Sequence, residues 1–374
     1  MKNIAIFGCS GSIGKQTIEI IRNNRDKFNI VVATNNENYE FLKNLQKEFN
    51  IEHIYCESKD NKFDVFSKDY VDNCFYANKD IYKNVDIVIN GISGISGLVP
   101  SYYTLKYAKV LATANKESFV CAGILLDKIA KENNCKIYPL DSEHSAIWQC
   151  LESSKSIKKI IITASGGAFR DNTIEEISNK KAIEALNHPN WVMGKKVTID
   201  CATLVNKGFE LIEAKRMFNF DNIEAICHRQ SYIHALVEYV DNTISAIISN
   251  PSMLLPISYA LNYPNRVEND VKSIDFNNIT SLDFSTIDEN KFPCFSICKE
   301  LFKYGNDYDC TILVAADDYA TKMYLEDRIK FYDINKIIKK ALKYFVNKGY
   351  SSKNIDSIYD ILKIYKEVLN YLKI

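Results

Sequence analysis

Short apolar runs alternate with helical patterns at the start of the chain. Three runs have the length of strands buried on both faces: residues 4–7, 30–33 and 85–89. After the first run, Ile13, Thr17, Ile20 and Ile21 fall on one face of a helix. This alternation predicts a parallel sheet with helices on both faces, and therefore an α/β protein with a Rossmann-like N-terminal part.

The pattern changes near residue 136. Four further segments are predicted to be strands of a second sheet: residues 137–140, 159–163, 223–226 and 243–248. Residues 264–291 are polar and rich in Asn, which favours a linker. The sequence therefore predicts four parts: a nucleotide-binding domain (1–135), a central α/β catalytic domain (136–263), the linker (264–291) and a C-terminal helical bundle (292–374).

The helical bundle is predicted from an apolar stripe near the C-terminus. Ile334, Ile338 and Leu342 recur at helical spacing. Gly349 is expected to end this helix, and Ser351 or Ser352 to cap the next one.

Composition excludes some functions. The chain has 374 residues, too many for one core, and equal numbers of basic and acidic side chains, 47 each. A net charge of zero argues against bulk binding to nucleic acid or to an anionic membrane. Eleven scattered cysteines without a CxxC pair indicate free thiols. No leader peptide fits before residue 4 and no transmembrane run follows, so we expect a cytoplasmic protein.

A glycine turn follows the first predicted strand. Gly8, Gly11 and Gly14 let the backbone approach a pyrophosphate at the start of a helix, which favours a dinucleotide site. The spacing is GxxGxxG rather than the usual GxGxxG, and a plain tight turn is the alternative. Glu37 lies at the end of the second predicted strand, where an acid binds a ribose 2′-hydroxyl and repels a 2′-phosphate. By that rule alone, Glu37 favours NAD over NADP.

Three carboxylates are candidate metal ligands. Asp141 and Glu143 would point to the same side of an extended segment, and Lys207 and Glu210 are neighbours on a helix face. Hard oxygen donors beside a lysine suit Mg or Mn bound next to an anionic substrate. The alternative is a solvated acidic turn and an ordinary helical salt bridge.

Two other segments follow predicted strands. Lys116 and Glu117 come after residues 109–112, at the sheet edge where open α/β sheets bind ligands. Lys116 would hold a substrate oxygen and Glu117 a nicotinamide ribose, unless the segment is a simple helix cap. Residues 165–167, Ser-Gly-Gly, would wrap an anion or form a plain turn.

Residues 188–194 read as a loop, which we call the lid segment. Trp191 in this loop suggests a lid that closes over substrate, although it would equally serve to anchor the loop to the core. His228 and His234 have no clear carboxylate or metal partner in the sequence, and we expect both to be structural.

Taken together, six segments resemble one family, 1-deoxy-D-xylulose 5-phosphate reductoisomerase, in order and spacing. These segments are residues 8–14, 114–118, 140–144, 165–167, 188–191 and 206–210. The resemblance implies a metal-dependent rearrangement of 1-deoxy-D-xylulose 5-phosphate and its reduction by NADPH to 2-C-methyl-D-erythritol 4-phosphate, in isoprenoid precursor synthesis. It also implies a homodimer.

The resemblance assigns roles to individual residues. The metal, Mn or Mg, would be bound by Asp141, Glu143 and Glu210. The sugar phosphate would contact Lys116, Ser142, Glu143, Ser165, His188, Cys201, Asn206, Lys207 and Glu210, with Lys116, His188 and Lys207 as catalytic residues. NADPH would contact Ser10, Gly11, Ser12, Ile13, Asn36, Glu37, Asn38, Asn115, Glu117 and Gly194. Trp191 and Met193 would belong to the lid.

Some residues depart from the family pattern. Cys201 stands where a serine usually contacts the phosphate, and a thiol is a weaker donor. Arg229 stands where the family usually has a proline. Glu37 stands at a position that a basic residue can occupy in the family. We expect NADPH to be used with a weaker preference over NADH. Two alternatives remain: a metal-assisted NAD(P)-dependent oxidoreductase acting on another sugar phosphate, and an inactive nucleotide-binding homologue.

Overall fold

A computed structural model describes residues 1–154, 156–191, 193–350, 355 and 357–373. The chain forms two units. Unit 1 comprises Met1–Ser145, Ser252–Val271 and Asp356–Leu362, and unit 2 comprises Ala146–Pro251, Lys272–Ile355 and Lys363–Ile374. These boundaries differ from the four predicted ranges. The first unit continues past residue 135, and it also includes two segments from later in the chain.

The described residues form strands and helices in the following order along the chain. The strands are β1 (Lys2–Phe7), β2 (Phe28–Asn35), β3 (His53–Cys56), β4 (Ile87–Asn90), β5 (Val110–Thr113), β6 (Lys136–Pro139), β7 (Ile157–Ala164), β8 (Ile223–Cys227), β9 (Ile233–Tyr239) and β10 (Ile244–Ile248). The helices are α1 (Ser12–Arg22), α2 (Tyr39–Phe49), α3 (Glu57–Asp60), α4 (Lys68–Asn73), α5 (Leu98–Tyr107), α6 (Lys116–Glu132), α7 (Ser142–Leu151), α8 (Ile174–Ser178), α9 (Ala182–Ala185), α10 (Lys195–Thr203), α11 (Val205–Phe218), α12 (Leu254–Asn262), α13 (Pro293–Tyr304), α14 (Asp307–Leu325), α15 (Asp333–Asn347) and α16 (Ile358–Leu372).

Unit 1 contains the predicted parallel sheet. Its six strands lie in the order β3-β2-β1-β4-β5-β6, and every neighbouring pair is parallel. The central strand β1 buries Ile4, Ile6 and Phe7 completely, as its apolar run predicted. This strand order is that of dinucleotide-binding folds, so the predicted α/β class and Rossmann-like sheet are confirmed.

Unit 2 contains a smaller mixed sheet. Its order is β10-β9-β7-β8, with β7 and β8 parallel and the other pairs antiparallel. Two details of the prediction were wrong. Residues 137–140 supply β6, which belongs to the first sheet, and β9, which the sequence did not indicate, lies at the centre of the second sheet.

The C-terminal part is helical, as predicted. The stripe of α15 buries Ile334 and Ile338, and Gly349 follows the end of this helix with a positive φ of 75°. Ser351 and Ser352, the predicted caps of the next helix, lie outside the described residues. In the segment 264–291 the described regular structure is one short turn of helix, Phe276–Asn278, and a bridge between Ser285 and Cys227.

Candidate active site

The glycine turn connects β1 to α1 at the carboxyl edge of the first sheet. Gly8 has φ +83°, and a Cβ on Gly14 would lie 2.4 Å from the Gly8 carbonyl oxygen. Only glycines allow so tight a turn. Ser10 and Gly11 line a cavity of about 400 Å³ beside it. Because α1 begins at Ser12, its first backbone amides are directed at the edge of this cavity, where they would donate to a bound polyphosphate.

The end of β2 presents polar residues at the same edge. Asn35 is buried, whereas Asn36, Glu37 and Asn38 are exposed. The Asn38 side chain accepts a hydrogen bond from the Phe41 amide and so caps α2. Glu37 thus lies where the sequence predicted, with its carboxylate open to solvent.

The loop after β5 is fixed by one asparagine. Asn115 donates from Nδ2 to the carbonyls of Ile92 and Gly94, both at 2.8 Å, and its Oδ1 accepts from the Ser118 amide at the start of α6. The side chain is fully buried. It holds the loop after β4 against the loop after β5, which sets the position of Lys116 and Glu117.

Lys116 forms an ion pair with Asp141 in unit 1. Lys116 Nζ lies 2.9 Å from Asp141 Oδ2, and both side chains are largely buried. Burial opposes ionisation of Asp141, but Lys116 and the neighbouring His144 outweigh it, so the pKa of Asp141 lies well below its ordinary value. Asp141 is therefore a carboxylate at neutral pH, the form that a metal requires.

The extended conformation predicted around Asp141 was wrong. Helix α7 begins at Ser142, and the Asp141 side chain accepts a hydrogen bond from the Glu143 amide at 3.3 Å. Glu143 is thus in the first turn of a helix rather than on a strand, and Ser142 Oγ donates to its carboxylate.

In unit 2, the Ser165–Gly167 turn follows β7 as predicted. Gly166 and Gly167 have φ of +86° and +70°, and a Cβ on Gly167 would lie 2.3 Å from the carbonyl oxygen of Cys201. The turn therefore lies directly against α10, which carries Cys201. Ser165 Oγ and His188 Nε2 are 3.0 Å apart.

Helix α11 carries the second predicted cluster. Lys207 and Glu210 are buried and form an ion pair, as their spacing predicted, and Asn206 Nδ2 donates to the other Glu210 oxygen. Lys207 also influences Cys227 at the end of β8. Burial raises the pKa of the Cys227 thiol, and the positive charges of Lys207 and Arg170 partly oppose this.

The lid segment starts at His188 and ends at Gly194, the residue before α10. Trp191 is half-buried, with its ring 6.3 Å from that of His234. Met193 and Gly194 lie on the described part of the loop, and Val192 lies outside it. A Cβ on Gly194 would meet nothing within 4 Å.

The two histidines expected to be structural have ordinary partners. His228 is buried, its Nδ1 lies 2.9 Å from the Asp283 carbonyl oxygen, and its ring stacks on Phe284. His234 Nε2 lies 3.0 Å from Ser249 Oγ.

Sequence reasoning missed Arg170. Its guanidinium donates from Nη1 to the carbonyls of Ser165 and Arg229, both at 3.0 Å. Burial, followed by the charge of Arg170, lowers the pKa of His188 to about 4. The position of Arg170, shortly after the glycine pair of the Ser165–Gly167 turn, was the available signal. Asn35 and Glu57, which line the cavity of unit 1, were also missed.

These features define a class of protein. A parallel sheet in dinucleotide-binding order, with a glycine turn and a cavity at its carboxyl edge, is typical of a nucleotide-dependent enzyme. Buried lysine–carboxylate pairs and a turn shaped for an anion add the groups expected of one that acts on a phosphorylated substrate.

The comparisons narrow this class to one family. A family model of 1-deoxy-D-xylulose 5-phosphate reductoisomerase matches residues 4–123, and models of its C-terminal domains match residues 137–218 and 248–371. The chain belongs to the 1-deoxy-D-xylulose 5-phosphate reductoisomerase family. This confirms the resemblance drawn from the sequence.

Individual relatives cover the whole chain. The reductoisomerase of Sulfurihydrogenibium sp. is 41% identical over 99% of this chain and 97% of its own length, and that of Clostridium novyi is 39% identical over 100% and 99%. A crystal structure of DOX-P reductoisomerase with NADPH, fosmidomycin and magnesium has a TM-score of 0.90 at 32% identity, covering 100% of this chain and 98% of that one. The structure of the Zymomonas mobilis reductoisomerase with NADPH has a TM-score of 0.86 at 30% identity, covering 99% of this chain and 98% of that one.

Within the described ranges, no helix is both long enough and apolar enough to cross a bilayer.

Proposed function

We propose that this chain rearranges 1-deoxy-D-xylulose 5-phosphate in a metal-dependent step and reduces the product with NADPH to 2-C-methyl-D-erythritol 4-phosphate, a reaction of isoprenoid precursor synthesis. The observation that carries this proposal is the full-length similarity to reductoisomerases, including one crystallised with NADPH and magnesium. The polar geometry of each unit is consistent with it.

NADPH would bind at the carboxyl edge of the first sheet, with all of its proposed contacts except Gly194 within residues 1–135. The glycine turn and the adjoining cavity support this placement, since a Cβ at Gly14 would clash with the Gly8 carbonyl oxygen and distort the turn. The contacts proposed are those of Ser10, Gly11, Ser12, Ile13, Asn36, Glu37, Asn38, Asn115, Glu117 and Gly194.

A divalent cation, Mg or Mn, would be bound by Asp141, Glu143 and Glu210, within residues 136–263. All three offer carboxylate oxygens, the donors that these hard cations prefer. Each oxygen that accepts one hydrogen bond keeps a second lone pair for coordination. The ion would act as a Lewis acid on the sugar oxygens when bound.

The substrate would be held by polar and charged side chains. The proposed contacts are Lys116, Ser142, Glu143, Ser165, His188, Cys201, Asn206, Lys207 and Glu210. Lys116 and Lys207 supply positive charge in buried surroundings, where it acts strongly on a developing oxyanion. His188, neutral at pH 7, would act at the phosphate through Ser165, whose Oγ lies 3.0 Å from His188 Nε2. Trp191 and Met193 would close over the substrate and exclude water.

The remaining chain has structural roles in this proposal. Residues 264–291 link the catalytic domain to the helical domain, residues 292–374.

We place the protein in the cytoplasm as a homodimer. The edge strand β10 supports a dimer, because Ile244 and Ile248 on it are exposed. Light scattering of the parent and of Ile244→Glu tests this, since a charge on the edge should give monomers; an unchanged mass would exclude β10 from the interface.

The test of the reaction follows loss of reduced nicotinamide with 1-deoxy-D-xylulose 5-phosphate, with and without Mg or Mn, and identifies the product by mass spectrometry. We expect turnover only with metal, and 2-C-methyl-D-erythritol 4-phosphate as product. Turnover restricted to other sugar phosphates would support a related oxidoreductase instead. No metal-dependent oxidation of NADPH with any sugar phosphate would indicate an inactive homologue.

A further inference from the structure

Hydrogen bonds of His188 and Asn190 hold the base of the lid segment. His188 Nδ1 accepts from two backbone amides of the lid, that of Asn190 at 3.2 Å and that of Trp191 at 3.0 Å. A ring nitrogen that accepts carries no hydrogen. The neutral ring must therefore carry its proton on Nε2.

This tautomer determines what Ser165 does. Nε2–H points at Ser165 Oγ, 3.0 Å away, and the Gly167 amide also donates to Ser165 Oγ at 3.3 Å. A hydroxyl has two lone pairs and one hydrogen. Because both lone pairs are then occupied, the hydroxyl hydrogen is left to donate to another acceptor, and an oxygen of a phosphate is such an acceptor.

The lid conformation that supplies the two amides is held by the Asn190 side chain. Asn190 Nδ2 donates to the Arg229 carbonyl at 2.8 Å and to Ser231 Oγ at 2.7 Å. Both acceptors lie on the turn between β8 and β9, where Ser231 has a positive φ of 57°. Arg170 donates to the same Arg229 carbonyl. The Asn190 side chain thus connects the base of the lid segment to the turn between β8 and β9.

We propose that Asn190 is a positioning residue that fixes the Nε2–H tautomer of His188 and thereby orients the Ser165 hydroxyl toward the phosphate of the substrate. The chain of bonds runs from Arg229 and Ser231 through Asn190 to His188 and Ser165. The part that concerns the phosphate rests on the proposed function, whereas the tautomer does not.

The position of Arg229 agrees with this role. The bond uses its carbonyl, which every residue type provides, and its side chain forms an exposed ion pair with Asp171. Replacing the side chain of residue 229 should therefore leave the network intact. This supplies a matched control.

The experiment measures the ring-nitrogen chemical shifts of His188 by ¹⁵N NMR, with the His188 signals assigned from their absence in His188→Asn. In the parent we expect the Nε2–H pattern. Asn190→Ala removes both donors, and Asn190→Asp removes them at nearly constant shape. In both, the lid amides lose their fixed position, so we expect a mixture of the two neutral tautomers.

Kinetics provide the second readout. We expect Asn190→Ala and Asn190→Asp to raise KM for the sugar phosphate roughly tenfold, the scale of losing one or two oriented hydrogen bonds, with a smaller change in kcat. Arg229→Ala and the exposed Asn187→Ala should match the parent in both readouts. KM for NADPH should be unchanged in all four.

An Nε2–H pattern retained in both Asn190 variants, with unchanged KM, would overturn the inference. A parent that shows the Nδ1–H pattern would also overturn it. If the parent does not turn over the sugar phosphate, the proposed function fails, but the NMR comparison still decides the role of Asn190.

Discussion

His188 is a residue whose charge the fold controls. Burial, followed by Arg170, lowers its pKa from 6.5 to about 4. Because the folded protein disfavours the protonated ring, the neutral ring contributes stability that is fully present above about pH 6.5 and is lost as the pH falls toward 4. An NMR titration of the ring should show this low pKa, and Arg170→Met should raise it. A midpoint near 6.5 in the parent would contradict the burial of the ring.

We expect Glu37 to limit the preference for NADPH. Its carboxylate lies two residues after the end of β2, where an acid would repel a 2′-phosphate. We expect NADPH to be favoured over NADH only weakly, and Glu37→Lys to increase the ratio of the two kcat/KM values. The control is Glu40→Lys in α2, which adds the same charge farther along the chain. A preference of roughly a thousandfold in the parent, equivalent to about 4 kcal/mol, would mean that Glu37 points away from the ribose.

At the level of single residues, spacing alone predicted some contacts and not others. Lys207 and Glu210 pair because both sit in one regular helix, whose geometry fixes which residues are neighbours. Asp141 and Glu143 come at a junction between β6 and α7, where the short polar run fits either period. The local sequence did not decide between a strand and a helix. In the structure, the Glu143 amide donates to the Asp141 side chain at the start of a helix.

The turn between β1 and α1 is an element that tolerates no side chain at Gly14. In Gly14→Ala the new methyl group would lie 2.4 Å from the Gly8 carbonyl, so the backbone must shift. We expect a lower melting temperature and a KM for NADPH raised about tenfold or more, because the amides of α1 move away from the pyrophosphate. Thermal melts and cofactor titration measure both effects.

Gly194→Ala is the comparison for stability, since its methyl group meets open space. It should melt like the parent. A Gly14→Ala variant that binds NADPH as tightly as the parent would show that the turn is not the cofactor cradle.

Elements were predictable where one period dominated. Strands β1, β2 and β4 follow from continuous apolar runs, whereas β3 was not predicted. Strand β6 was assigned to the wrong sheet because a strand's partners depend on topology rather than on its own residues. Strand β9 was overlooked although Ala235 and Val237 alternate with less buried residues, since histidine and glutamate interrupt its apolar pattern.

For the whole molecule, metal and cofactor binding should be separable. Asp141→Asn should lower kcat by at least about a hundredfold, the effect of losing one electrostatic stabiliser, while NADPH binding measured by fluorescence stays at the parent value. Treatment with a chelator should have the same two effects, reversed by Mg or Mn. The partly exposed Asp127→Asn is the control. Near-normal turnover of Asp141→Asn would remove Asp141 from the site.

The assembly of the complete site could not be predicted from spacing. Along the chain, Asp141 and Glu210 are separated by four helices, α7 to α10, and by the strand β7, and no local pattern relates such distant residues. The resemblance of ordered motifs to a family supplied that relation. The hydrogen bonds of Arg170 and Asn190 needed coordinates, although Asn190 lies within one of the six segments, 188–191.

The cysteines offer a practical consequence. All eleven lie in the described ranges, and nine of them are buried, whereas Cys201 and Cys227 are partly exposed. Alkylating reagents should therefore label the native protein slowly and at few positions. Since Cys201 adjoins the Ser165–Gly167 turn, a phosphorylated ligand should shield it, and the rate of its modification would report occupancy without an engineered probe.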